Sequence, residues 1–441
     1  MSQLRKELGL LEVISITSGS VIGAGIFVVT GLATKYSGNM IWLAYLLGGI
    51  PTFFTGLAFA VLAGAMPYEG GSLFYTTRFV SPFWGFLTAW GKWMGYIGPI
   101  CITALAFPRY VSFLIKVPIL PVALLAVAAF YILNYIGIKI SGWVQDAMFV
   151  TLVGGMFAFI LLGLPHVNTS LATAPDTPLG MYGVAYAAAL AFFSYTGFGV
   201  AIEPGEEVKK PERNLPLGII IGIFLVVAIY TLLSFVSVGV MPWREFAAAE
   251  APVAEAAARF LPFSAAAFIA IVGILAILTS QNGFQIVGSR LLYAFARDGL
   301  IPRVLSKIHP RFRTPHLALS ATVLIGIGLI LSGKGIEFAA GVANIGFLAS
   351  YALTCLAALN FARKHSERYE KAPFKLRKTL LYVVALAGFV SNIVFMALQS
   401  MDSWIFFIIW FIIGIGIYYY AKRSFESKGE KLEEALLKLP G

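Results

Sequence analysis

Two glycine-bearing stretches interrupt otherwise apolar runs, and the chemistry of this chain is to be sought there. Gly19-Ser20-Val21-Ile22-Gly23-Ala24-Gly25-Ile26-Phe27 places three glycines within seven residues, and Phe192-Phe193-Ser194-Tyr195-Thr196-Gly197-Phe198-Gly199 breaks a second run. Glycine disfavours helix by about 1 kcal/mol relative to alanine, and a helix broken in lipid must find other partners for its peptide groups. Close packing through small residues would account for the first stretch alone. Paired breaks suggest more. A half-helix N-terminus exposes N–H groups that attract a carboxylate, and unwound backbone leaves carbonyls to accept from an ammonium. Backbone that grips both ends of a zwitterion suits an α-amino acid.

Ionisable residues within apolar runs are the other candidates, because charge is expensive at membrane depth. Glu203, followed by Pro204, would either titrate as a proton carrier or sit wetted at the cytoplasmic mouth; burial would raise its pKa toward neutrality. Lys92 is expected to snorkel, Asp146 to be interfacial, and Glu206 and Glu207 to form a cytoplasmic charge network with Lys209 and Arg213. Enzyme signatures are missing: there is no HExxH, no GxSxG and no paired intramembrane aspartate. The histidines His166, His309, His316 and His365 read as loop residues, so no metal site, cofactor or catalytic activity is expected.

The elements that position these residues follow from composition. Of 441 residues 59% are hydrophobic and 12% charged, whereas soluble domains carry about 25% charged residues. A bilayer core of about 30 Å needs roughly 20 apolar residues per helix. Twelve such stretches are read, at about 10–36, 40–66, 83–114, 119–136, 143–164, 182–203, 215–240, 263–295, 317–331, 336–362, 380–399 and 404–421. With both termini inside, 25 of the 32 basic residues become cytoplasmic and six lie outside: Lys35, Arg109, Lys116, Arg244, Arg259 and Lys334. That bias sets the orientation in the cell membrane, and explains the net charge of +11 without a nucleic-acid partner. The N-terminal MSQLRK lacks a small-residue cleavage site, so the first span is expected to remain. The second break opens what would be a second group of five helices, and five is odd. Residues 10–164 and 182–362 would then be inverted five-helix repeats, a sequence pointer to a transporter with its site at the breaks. Two extra helices (380–421) and a cytoplasmic tail (422–441), carrying a short amphipathic helix, would complete a single transmembrane domain.

These residues resemble a known family. GSVIGAGIFVVTG (19–31) is similar to the first-helix motif of the amino acid–polyamine–organocation superfamily, and FFSYTGFG (192–199) with GEEVKKPERNLP (205–216) to its sixth-helix segment. PYEGGSLFYTTRFVSPFWGFLTAW (67–90) and SRLLYAFARDGLIP (289–302) resemble its second-to-third-helix loop and eighth-helix end. RNLPLGI (213–219), Val144-Gln145-Asp146 and Ile308-His309-Pro310 look closest to the L-amino-acid transporter type. The resemblance implies an all-α integral membrane protein with the LeuT-type arrangement of five plus five inverted helices and two more. It further implies a substrate site at Ser20, Ile22, Gly23, Ala24, Gly25, Phe193, Ser194, Thr196 and Gly197. There the first break would hold the carboxylate, the carbonyls of Phe193, Ser194 and Thr196 the amine, and Phe193 would close as an aromatic lid.

One departure bears on coupling: where several sodium-independent members carry a fifth-helix lysine, this chain has Leu152. Sodium near the first break with Thr279 and Ser280, exchange without an ion, or a proton carried by another group such as Glu203 all stay open. Gly199, Val200, Ala201 and Ile202 after the second break suit neutral aliphatic or aromatic side chains. A cationic amino acid or polyamine would need Glu203. An intramembrane enzyme and a non-transporting amino-acid sensor are the readings from other classes. Partners are expected to be the small substrate and the bilayer. Either a monomer or a dimer fits, without a disulfide-linked subunit, because Cys101 and Cys355 lie in apolar runs.

Overall fold

Lipid offers no partner to backbone N–H and C=O groups, so long apolar stretches must close their hydrogen bonds internally as helices. The computed structural model describes residues 8–66, 71–137, 142–198, 208–427 and 429–438. Among these residues the regular structure is helical, apart from one isolated bridge between Leu8 and Val208. The α-helices are α1 (Leu10–Val21), α2 (Ala24–Ser37), α3 (Ile41–Ala65), α4 (Gly71–Phe79), α5 (Pro82–Ser112), α6 (Ile119–Ile136), α7 (Gly142–Gly163), α8 (Thr169–Thr173), α9 (Gly180–Ala191), α10 (Pro211–Val240), α11 (Trp243–Ala248), α12 (Pro252–Ala257), α13 (Phe263–Arg297), α14 (His316–Leu331), α15 (Gly335–Lys364), α16 (Ser366–Lys371), α17 (Lys378–Ala397), α18 (Met401–Glu426) and α19 (Leu432–Lys438). Among the described residues seven helical segments are long and apolar enough to cross a membrane, and the chain is a multi-pass membrane protein. Seven is fewer than the twelve stretches read from sequence partly because the breaks leave α1 and α9 with 12 residues each and α14 has 16, while α2 runs on with α3 as one segment, Ala24–Ala65.

Two helices form the centre. The most apolar window of α15 is 78% buried, against 17% for α6 and 22% for α18. α15 crosses α5 backbone to backbone: a Cβ on Gly346 would lie 2.4 Å from the Gly91 carbonyl oxygen, and one on Gly98 2.5 Å from that of Ala339. Small residues allow this approach, which is how membrane helices gain packing without a hydrophobic drive. Trp90 and Trp410 stack at 5.0 Å, and each indole N–H donates to the other residue's carbonyl, pinning α18 on α5. Leu125, Ile132, Phe224, Leu324, Leu386 and Ile412 are exposed, as lipid-facing side chains should be.

At one end, α11 and α12 make a helical hairpin joined to the loop before α9 by Arg244 and Asp176 at 2.8 Å. The Trp243 indole and the Arg244 guanidinium together hold the Asp176 carboxyl below the usual carboxylate range. At the other end, Leu432 and Leu436 of α19 are buried and Glu433 pairs with Lys422 at 2.6 Å. The tail helix therefore packs on α18, α5 and α4.

Candidate functional site

α1 stops where its own side chains compete for its carbonyls. The Thr17 and Ser18 hydroxyls donate back to Val13 and Ile14, both at 2.8 Å, an arrangement that bends helices. Ile22 is extended (φ −71°, ψ 104°), Gly23 follows at φ −156°, and helix resumes at Ala24. The gap is stabilised from outside. Tyr230 on α10 donates to the Val21 carbonyl at 3.0 Å, and the Ala24 N–H donates to Ser280 Oγ of α13 at 3.1 Å. The Gly25 and Ile26 N–H groups belong to the first turn of α2, which has no preceding turn to bond.

The second break forms differently. α9 tightens into a 3₁₀ turn at Phe192–Tyr195, Thr196 is extended, and Gly197 takes φ +115°, a conformation only glycine adopts readily. Asn344 of α15 donates to the Ala189 and Leu190 carbonyls at 2.8 and 3.3 Å, and Gln399 to Ala189 at 3.0 Å. The carbonyls that lose helical donors are thus satisfied by side chains. The Phe193 carbonyl accepts from the Thr196 N–H (3.2 Å) and hydroxyl (2.8 Å), so it is already engaged.

The two breaks touch. Ser20 Oγ donates to the Gly197 carbonyl at 3.0 Å across 177 positions of chain. A Cβ on Gly25 would lie 2.6 Å from Ser194 Cα, and one on Gly197 2.4 Å from the Ser20 carbonyl oxygen. The Tyr45 hydroxyl lies between Thr30 Oγ1 (2.6 Å) and Ser194 Oγ (3.3 Å). Ile22, Ala24, Phe193, Ser194 and Thr196 are buried, and the Phe193 ring lies 6.4 Å from Phe284 of α13. Neither described break segment contains an ionisable side chain apart from Tyr195. Peptide dipoles and hydroxyls therefore supply the local electrostatics.

Other candidates fare differently. Ser280 reaches the first break, whereas the Thr279 hydroxyl donates to Leu275 and Ala276 within its own helix at 2.9 and 3.0 Å. Leu152 is buried on α7. Lys92 Nζ lies 5.9 Å from the Tyr96 ring, one turn further along α5. Glu203, together with Gly199, Val200, Ala201, Ile202, Glu206 and Glu207, lies outside the described residues. Sequence reasoning missed Tyr45, Tyr230, Asn344 and Gln399. Their signal was available as lone polar groups in apolar stretches, each of which needs a partner. Among the described residues no group of three or more metal-ligating side chains occurs.

Beyond α2 the far end is latched. Glu337 of α15 accepts from the hydroxyls of Tyr36 and Tyr186, both at 2.7 Å, tying α2 and α9 to α15. Beneath it Tyr110 donates to the Phe27 carbonyl at 2.7 Å, with the two rings edge to face.

A family model described as amino acid permease matches residues 8–429. A branched-chain amino acid permease of Bacillus subtilis is 28% identical over 446 residues, covering 96% of this chain and 94% of the relative. A methylthioribose transporter of the same organism is 27% identical over 443 residues, covering 96% and 94%. Its serine/threonine exchanger is 30% identical over 342 residues, covering 74% and 77%. A family match over nearly the whole chain, on a multi-pass helical body whose glycine-marked helices are broken, makes this protein an amino acid permease of the amino acid–polyamine–organocation superfamily.

Proposed function

We propose that this permease carries neutral L-amino acids, aliphatic or aromatic, across the cell membrane by alternating access. The first turn of α2 holds the α-carboxylate, and the backbone around Ser194 and Thr196 holds the ammonium. One observation carries this reading: the two breaks meet through Ser20 and Gly197, so an N–H-rich helix start faces unwound backbone from a distant segment. Family membership alone does not choose the substrate, since one relative is named for methylthioribose. The branched-chain and serine/threonine names of the others favour a neutral amino acid. Phe193 closes over the substrate side chain, with Phe284 behind it.

The five-plus-five inverted arrangement is supported by packing. α2 lies on α9, α3 on α10, α5 on α13 and α6 on α14. These are corresponding members of the two halves. With both termini cytoplasmic, the Glu337 latch and the Tyr110–Phe27 contact close the outer side.

The test is uptake of radiolabelled leucine by proteoliposomes holding the purified chain. Saturable uptake is expected, inhibited by neutral L-amino acids and indifferent to lysine and putrescine. Acceleration by a sodium gradient, a proton gradient or internal amino acid identifies the coupling. Uptake of lysine or a polyamine, with none of leucine or phenylalanine, would overturn the neutral assignment and point to Glu203.

A further inference from the structure

The outer charges separate into those with partners and those without. Arg244 pairs with Asp176, Arg259 with Glu245 and Lys334 with Asp402. Of the remaining outer acids, Glu255 accepts from the Ala251 N–H at 3.1 Å and Glu337 from two tyrosines. Lys35, Arg109, Lys116 and Glu250 are left with no opposite charge within 4.0 Å among the described residues. Lys35, Arg109 and Glu250 line one cavity of about 210 Å³, between the outer ends of α2 and α5, the start of α15 and the α11–α12 turn. Val28 and Tyr110 also line it. Val28 stands four residues past Ala24, about 6 Å along the helix. The cavity therefore lies directly outside the closed layer that covers the first break.

We propose that this cavity is a second, outer binding site that takes the zwitterionic amino acid before the outer gate opens. Lys35 and Arg109 hold its carboxylate, Glu250 its ammonium, and Val28 and Leu32 flank its side chain. The chemistry is that of opposite charges set in one concavity, where low-dielectric walls focus their fields and raise the local substrate concentration. The excess of one positive charge disfavours a cationic substrate. This proposal rests on the reading of the chain as an amino-acid transporter.

The experiment compares wild type with the double variant Lys35→Gln, Arg109→Gln in proteoliposomes, measuring initial leucine uptake at low external concentration. Uptake efficiency is expected to fall by about three- to tenfold in the variant, and its decline with external salt to flatten, as lost steering requires. 4-Methylpentanoate, the leucine skeleton without its ammonium, should compete in wild type and not in the double variant. Glu250→Gln should weaken leucine uptake while leaving that competition in place. The charge-conserving pair Lys35→Arg, Arg109→Lys should restore uptake, which excludes misfolding as the cause. A double variant with wild-type efficiency and salt dependence, or equal competition in both proteins, would overturn the site. Equilibrium binding of labelled 4-methylpentanoate to the purified full chain reads the site without transport. Wild type that binds it in a Lys35- and Arg109-dependent way, yet moves no leucine, would overturn the transport reading and leave the outer site standing.

Discussion

Gly25, like Gly197, is a point where the broken segments approach backbone to backbone, and any side chain there meets Ser194 Cα rather than a movable group. Overpacking of this kind costs about 1–3 kcal/mol, so Gly25→Val should lower leucine uptake by roughly ten- to hundredfold. Gly154 is the control. A Cβ there meets nothing within 4 Å, and Gly154→Ala should leave uptake unchanged while favouring helix by up to about 1 kcal/mol. Equal uptake by both variants would remove the close approach from the mechanism. Single positions were unevenly legible from the sequence. Gly23, Ala24 and Gly25 declare themselves because three glycines in a lipid-depth helix have few uses. Ser280 was read with Thr279 as a candidate for a sodium site near the first break, and its Oγ accepts from the Ala24 N–H. Tyr230 and Asn344 gave no local hint of their partners, which lie 209 and 155 positions away.

The helices divide into broken ones that form the candidate site and unbroken ones that brace the breaks. α10, α13 and α15 supply Tyr230, Ser280 and Asn344 to the gaps in α1–α2 and α9. The same bracing extends outward to Glu337, whose carboxylate holds α2 and α9 through two tyrosine hydroxyls. Hydrogen bonds to a charged group are worth about 1.5–3 kcal/mol each. Glu337→Ala should therefore release the outer ends of α2 and α9. With Ala24→Cys as reporter, buried at the first break beneath the closed layer, labelling by a membrane-impermeant maleimide should rise about tenfold or more in the Glu337→Ala background. Cys101 and Cys355 are buried and contribute little background. Unchanged labelling would show that other contacts keep the outer side shut.

Across the molecule, charge sets sidedness. If the twelve-span reading holds, with 25 of 32 basic residues on the cytoplasmic side, an epitope added after Gly441 should be reached by antibody only after permeabilisation, and one inserted after Ala249 in intact cells. The reverse pattern would invert the inner and outer assignments made above. Hydropathy, glycine placement and lysine–arginine bias determined by themselves that the chain is helical, membrane-embedded and interrupted at two places. Those are local properties, each readable within a window of about 20 residues. Only the tertiary structure decided that the interruptions abut, that Asn344 and Gln399 close the carbonyls of α9, and that Lys35, Arg109 and Glu250 line one cavity while Arg244, Arg259 and Lys334 pair with acids. The reason is physical. A polar group in an apolar helix announces that it needs a partner, but which partner it finds depends on how helices far apart in sequence cross. That crossing is set by the packing of small residues such as Gly91, Gly98 and Gly346.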